Sequence, residues 1–232
     1  MQVHHQEKGN RTMNEQLPNF ITEASGRLGD RVYLKGGGKV RSRRYHSPRD
    51  PRTAGQQGVR SRFAQASQSW RTLSEAQRTA WNAYGATRQR TAPTWAETNT
   101  QNGYGAFMSL ALKRLHAQPD ADLLVGPPAA PFAGNAVATT AQAGAGKIVW
   151  RASGPSVPGV VTELLAQKLR RVGGAASPEK YRTVAFAAFA EGHLTETTAL
   201  APGLWTCAVR QVHTDTGQAT ALRFLPPVWV PT

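Results

Sequence analysis

One cysteine, Cys207, stands in a chain of 232 residues, so no internal disulfide can form and cysteine usage says nothing of a redox compartment. Acids are equally scarce. Fourteen Asp and Glu face 28 Lys and Arg, a formal net charge of +14, which excludes an acidic solvating tail and points to a polyanionic partner: nucleic acid, an anionic membrane surface or an acidic protein. No apolar run approaches the roughly 20 residues of a membrane span, and no charged n-region with an apolar h-region opens the chain. A soluble protein that is not exported by a signal peptide is the expectation. With 40% apolar residues and six Trp, the chain can still bury a core.

Groupings that carry chemistry are also lacking. The six histidines, at 4, 5, 46, 116, 193 and 213, are scattered. Two have an acid two residues away, Glu191 before His193 and Asp215 after His213, yet neither pair recruits a third ligand nearby, so no metal site is expected. Cys207 sits mid-strand between Trp205 and Val209, with Arg210 due on the opposite face, and reads as a buried structural thiol. Ser177-Pro178-Glu179-Lys180 has the Ser-x-x-Lys form, but the companion motifs of that chemistry are missing. The stretch GAGK, Gly144 to Lys147, has Ala141 where a phosphate loop needs glycine, and it precedes a strand run instead of a helix. No carboxylate pair suggests acid–base work. The reading is therefore no catalytic residues, no metal, no cofactor and no small-molecule substrate.

What is present is a sharp division of charge. Residues 1–118 hold 19 Lys and Arg against 7 Asp and Glu, a net of +12; residues 119–232 hold 9 against 7, a net of +2. The change coincides with QPDADLLVGPPAAP, 118–131, whose Pro and Gly mark a linker. The expected organisation is α+β in two modules: a flexible tail over 1–24, a basic module over 25–117, the linker 118–131, and a β-sandwich over 132–232. In the tail, Gln6-Glu7-Lys8-Gly9 can be encoded by a purine-rich, ribosome-recruiting run, which makes Met13 a candidate translation start beside Met1.

The basic module opens with VYLKGGGKVRSRRY, short strand runs flanking Gly36-Gly37-Gly38, a β-hairpin. Two strands alone are marginal in water, so this hairpin needs a partner surface. Alternation puts Lys39, Arg41 and Arg43 on one face, either a phosphate reader or a charge-protected edge. The nine candidate contacts to an anionic partner are Lys35, Lys39, Arg41, Arg43, Arg44, Arg49, Arg52, Arg60 and Arg62. Seven of them are Arg, whose forked guanidinium suits phosphate or carboxylate. Three short helices follow. Asp50-Pro51 is the expected cap of the first, with Val59, Phe63, Ala66, Trp70 and Leu73 as its apolar stripe. Ser74 and Gln77 form a capping box for the second, which ends near Gly85. The third begins near Asn102 and carries Tyr104, Phe107, Met108, Ala111 and Leu115. Such stripes are core far more often than cofactor contacts.

FAQASQSWRTLSEAQRTAWNAYGA resembles part of the high-mobility-group box, in which a Trp precedes Leu-Ser and an aromatic and Ala close the next helix. That family's first helix and intercalating wedge have no counterpart here. More broadly, residues 25–117 resemble small proteins of phages and prophages that share a Gly-Asp-x-Val-Tyr strand, a Gly-Lys turn, a Pro-Arg-Thr-x-x-Gln helix start and a Trp-x-x-Leu-Ser/Thr hairpin. That resemblance implies a component of a virion or injection structure.

In the second module, AVATTAQA, GKIVWRAS, VVTELLAQKLRR, TVAFAAFA, HLTETTAL, LWTCAVRQVHT and GQATALRFLPPVWV make seven strand runs, the count of a β-sandwich. Ile148-Val149-Trp150 and Leu200-Ala201-Pro202-Gly203-Leu204-Trp205 resemble the fibronectin type III fold, a seven-stranded Ig-like sandwich. Trp205 takes the place of that family's corner tyrosine. The resemblance implies a general protein–protein interaction module. The stretch 172–180, longer than a minimal turn, is expected to be a mobile loop.

The leading expectation is a non-enzymatic structural or assembly protein of a phage-like particle, found in the virion or the bacterial cytoplasm. Its basic module would anchor on other subunits or on nucleic acid while the sandwich projects. The alternative is sequence-independent binding to DNA or RNA phosphates through the Arg-rich hairpin and helix. A solvated basic face with no such role is the third reading.

Overall fold

The computed structural model describes residues 15–16, 25–36, 39–47, 50–88, 101–169, 171 and 174–232. The tail over 1–12 and the Met13 start lie outside them. The chain is mixed α+β, with three α-helices and three antiparallel sheets among the described residues, and it divides into two compact units at Thr53/Ala54.

The first unit holds one sheet in the order β1-β4-β3-β2: β1 (Glu15–Gln16), β2 (Gly26–Leu28), β3 (Arg31–Gly36) and β4 (Lys39–Arg44). The expected hairpin is β3–β4, in register from Arg31 opposite Arg44 to Gly36 opposite Lys39. Gly29, at φ 59°, makes the tight turn from β2 into β3 that a side chain would strain. Among the described residues of this unit only Val40 and Ser42 are buried, at 3% and 1% exposure.

The second unit begins with α1 (Ala54–Thr72), α2 (Glu75–Thr87) and α3 (Gly103–Ala117). The first helix starts at Ala54, so Asp50 and Pro51 are not its cap. Arg52 stands at φ 48°, a left-handed conformation that breaks helical continuity from Pro51. Its stripe is only half used: Ala66 and Leu73 are buried, whereas Val59 and Phe63 are 57% and 50% exposed. The capping box at Ser74 is fully formed. Gln77 N–H donates to Ser74 Oγ, and Ser74 N–H donates to Gln77 Oε1. Helix α2 runs past Gly85, because that glycine serves a close approach and does not terminate the helix. A Cβ there would overlap the Gln101 carbonyl as α3 begins. Asn102 caps α3 through Gly105 N–H at 2.7 Å. Trp81 and Phe107 centre the helical core, with ring centroids 5.3 Å apart and nearly perpendicular.

Eight strands follow, in two sheets. One has the order β5-β6-β9: β5 (Thr139–Gly144), β6 (Lys147–Ala152) and β9 (Thr195–Ala199). The other has the order β11-β10-β7-β8: β7 (Val160–Lys168), β8 (Arg182–Ala187), β10 (Gly203–His213) and β11 (Arg223–Phe224). In addition, β12 (Val228–Val230) pairs with β10. The expected seventh run is thus two strands. Pro226 and Pro227 lack the N–H a ladder needs and split it. Ile148 and Trp150 from the first sheet meet Leu164, Cys207, Val209 and Val230 from the second in one shared core. Trp150 is wholly buried and its indole N–H donates to Thr198 Oγ1 at 2.9 Å. Trp205 Nε1–H donates to the Ala201 carbonyl at 2.9 Å. GAGK is the β5–β6 hairpin turn, with Gly144 opposite Lys147 and Gly146 at φ 62°.

Helix α3 joins the helices to the sheets. One side of it packs into the helical core through Phe107, Ala111 and Leu115. From the other side, His116 sets its ring edge-on to Phe186 of β8, and Gly217 lies so close to the Leu110 carbonyl that no Cβ would fit. The segment 118–131 is irregular, and Leu123 and Leu124 within it pack against the helical core.

Candidate functional site

Ladder register sorts the predicted cations of the first unit. Residues directly opposite in an antiparallel pair share a face. Arg41 opposite Leu34 and Arg43 opposite Val32 therefore point one way; Lys35 opposite Val40 and Arg44 opposite Arg31 point the other. By register Lys39 belongs with Arg41 and Arg43, though only its backbone is described. Arg49 lies outside the described residues. Arg52 lies past the sheet, with its Nε 3.9 Å from Asp50 Oδ2. Arg60 and Arg62 belong to α1, in the second unit.

The sheet adds a cation that the sequence reading missed. Arg27 of β2 pairs with Val32, which pairs with Arg43, so Arg27, Val32 and Arg43 form one row across three strands. The Arg27 guanidinium lies 3.8 Å above the Tyr45 ring and donates to the Gly29 carbonyl, which fixes its direction. Its signal was the Gly-Arg-Leu-Gly-Asp run, too short to read as a strand. Arg41 and Arg43 are exposed and have no partner among the described residues. At about 6.6 Å between alternate residues and about 4.8 Å between strands, the face spaces its guanidiniums as a grid.

On the opposite face two arginines meet, an unfavourable cross-strand pair. Arg31 relieves it by donating to the buried Ser42 Oγ at 2.9 Å, and Arg44 lies 3.8 Å from Asp30. Asp30 is the acid beside Arg44 there, whereas among the described residues no acid pairs with Arg27, Arg41 or Arg43, whose face is open to an external anion.

The second unit contains the titratable cluster the sequence concealed. Glu163 of β7 is 1% exposed, and its carboxylate meets Lys113 Nζ at 3.0 Å, Arg210 Nε at 2.6 Å and the Thr183 hydroxyl. Burial pushes the Glu163 carboxyl up. The hydrogen bonds from Arg210 and Thr183, with the charges of Lys113 and Arg210, overcome that and hold it at about 2. Burial lowers the Lys113 ammonium, with Glu163 opposing, and burial and Arg62 lower His116. A carboxylate this saturated neither accepts a proton at neutral pH nor reaches a substrate; it ties α3 to the sheet. Cys207 lies in the inner core with its thiol pushed up to about 12 by burial, and Arg210 points to the opposite face. Ser177 to Lys180 form a 3-10 turn, not the start of an α-helix. Among the described residues no three His, Cys, Asp or Glu gather as a cation site, and no helix is long and apolar enough to cross a membrane.

No family model, curated protein or solved structure matches the chain.

Proposed function

We propose that this chain is a non-enzymatic structural or assembly protein of a phage-like particle, anchored by its basic first unit. One observation carries the reading. Among the described residues of the first unit only Val40 and Ser42 are buried and Arg41 and Arg43 stand exposed on one face, which supports a partner that supplies apolar cover and negative charge. The phage-like context rests on the resemblance of residues 25–117, and the place of action is accordingly a virion or the bacterial cytoplasm.

The two-sheet body supplies the interaction domain. A fibronectin III-like assignment is supported by the order β5-β6-β9 against β11-β10-β7-β8 and by the buried Trp150 on the second strand. The Trp205 indole N–H, bonded to the carbonyl four residues upstream, plays the part of a corner tyrosine's hydroxyl. Such a fold carries partners on its faces and loops and needs no catalytic group.

The second reading is sequence-independent binding of nucleic acid, favoured by the exposed Arg41 and Arg43, which have no partner among the described residues. One experiment separates the two: sedimentation of the native protein from lysed producing cells at low and high salt, beside a salt titration of short duplex DNA on the full chain. Co-sedimentation with heavy assemblies that survives high salt supports assembly, because large interfaces hold it. Free protein whose DNA affinity falls steeply with salt sinks the assembly reading and leaves the phosphate one. Free protein with no DNA affinity at low salt removes both and leaves a solvated basic face.

A further inference from the structure

Beside the shared apolar core a cavity of about 200 Å³ opens between the two sheets, bordered by Val209 of β10 and Thr139 of β5. Val209 points into that core, so Arg223, its partner on β11, and Gln211, two residues on, share its face. Thr162 of β7, opposite Gln211, completes that side. Two bridges cross to the facing sheet. Arg223 donates from Nη2 to the Thr139 carbonyl at 2.7 Å, and the Gln211 amide holds Asn135 and Val137 in the segment leading into β5. Gly134, at φ 82°, lets that segment pass so close to Gln211 that a Cβ would meet its Oε1. The walls are therefore set by the chain itself, and a ligand need not order them.

Thr139 and Thr162 are only 2% and 3% exposed, and both border the cavity. Neither hydroxyl has a hydrogen-bond partner among the described residues. Neither is sealed from solvent, so the sliver of surface each retains opens into the cavity. A buried hydroxyl costs stability until something pairs it. Arg223 spends one nitrogen on the Thr139 carbonyl and has no further partner among the described residues. Arg210 also borders the cavity, but its Nε is taken by Glu163 at 2.6 Å. Among the described residues no acid lines the space. One guanidinium and two hydroxyls, all with hydrogens to give, call for an acceptor-rich group. A carboxylate is planar, suits the guanidinium fork and accepts from hydroxyls. Phosphate carries close to two negative charges, and only Arg223 has donors to spare for them. An apolar cavity of roughly 150 Å³ accommodates benzene. This one therefore admits a carboxylate on a short stem, beside Val137 and Val209.

We propose that this cavity binds a small carboxylate, with its oxygens on Arg223 and its remaining polar contacts on Thr139 and Thr162. The carboxylate arrives either as a free acid or on the acidic side chain of a partner, and the recognition chemistry is the same. The site belongs wholly to the second unit and does not depend on the assembly reading of the first.

The test follows the backbone amides of the full chain by proton–nitrogen correlation spectra during four titrations. The probes are lactate, a capped Gly-Asp-Gly peptide, inorganic phosphate, and propylene glycol as the uncharged counterpart of lactate. Saturable shifts are expected at Thr162, Gln211 and Ala221 with lactate, the peptide or both. Whichever saturates at the lower concentration separates a free acid from a partner's side chain. Arg223→Gln should weaken the binding by about tenfold or more, and Thr162→Val by about threefold to tenfold. Thr162→Val keeps the shape of the side chain and removes a hydroxyl with no partner within the chain. Its melting temperature should not fall, so lost binding cannot be put down to misfolding. Lys147→Gln removes one exposed charge from the same two-sheet body and should leave the binding unchanged. Shifts that are absent with both carboxylates, or unaltered in Arg223→Gln and Thr162→Val, overturn the proposal. So does phosphate or propylene glycol saturating the same amides at concentrations as low as the carboxylates need.

Discussion

Lys113 of α3 and Glu163 of β7, fifty residues apart in sequence, meet at 3.0 Å between Nζ and Oε2, with the carboxylate cut off from solvent. This contact, shared with Arg210, fastens the helical layer to the outer face of the larger sheet. Removing the acid leaves two part-buried cations facing each other with no counter-charge between them. Glu163→Gln keeps shape and volume but discards the charge, and it is expected to cost about 3–5 kcal/mol. Glu163→Leu combined with Lys113→Met and Arg210→Met should cost less than Glu163→Gln alone, since no buried charge is then stranded. Urea midpoints at neutral pH measure both. Equal midpoints for Glu163→Gln and the wild-type chain would show that the cluster contributes nothing.

His116 and Glu163 sit beside the same layer junction and respond to acid in different windows. A base held below its ordinary value is disfavoured when protonated in the folded state. Stability therefore falls once pH drops below about 6.5 and stops falling beneath the lowered value of His116. Lys113, Arg62 and Arg210 oppose that protonation, and Glu163 favours it. Glu163 is an acid held low: its stabilisation is complete above about 4.5 and is lost as pH falls toward about 2. A displacement of that size corresponds to about 3 kcal/mol. Melting temperature against pH should show two descending steps. His116→Gln should flatten the upper one, whereas Glu163→Gln should remove the lower one and deepen the upper, because the Glu163 charge favours His116 protonation.

Gly217 and Leu110 make the junction sensitive to a single methyl group. Gly217 stands at φ 69° in the turn after β10, and a Cβ there would overlap the Leu110 carbonyl of α3. Backbone on both sides leaves nothing flexible to yield. Gly217→Ala should cost about 2–4 kcal/mol, combining left-handed strain with forced overpacking. Gly192, at φ 79° with open space around its Cβ direction, is the matched control and should cost only about 1 kcal/mol as Ala. Similar midpoints for the two variants would remove the steric argument.

The parts of the fold that the sequence made legible are those decided within a few residues. Ser74 and Gln77 cap α2 because the reciprocal bonds span a single turn. The β3–β4 hairpin follows from apolar and cationic alternation around three glycines. Glu163 was illegible because its strand is buried on both faces and shows no alternation. Its partners lie 50 and 47 positions away. Periodicity likewise put Val59 and Phe63 on one stripe without saying whether anything covers it. In the basic surface, composition gave the sign of the charge, but only register separated Arg41 and Arg43 from Lys35 and Arg44, and only strand pairing brought in Arg27.

That separation by face gives the sharpest test of the first unit. Arg27, Arg41 and Arg43 share one face, whereas Lys35 and Arg44 lie behind it, Arg44 already near Asp30. If this face reads phosphates, changing all three to Ala should lower the slope of log affinity against log salt by roughly 2 to 3, one counterion release per contact. Lys35→Ala/Arg44→Ala removes nearly as much charge from the same small sheet but should leave the slope almost unaltered. Net charge alone predicts the two sets to behave nearly alike, so equal slopes would replace a facial site with a diffuse field. Slopes that differ by two or more assign binding to one side of a four-stranded sheet.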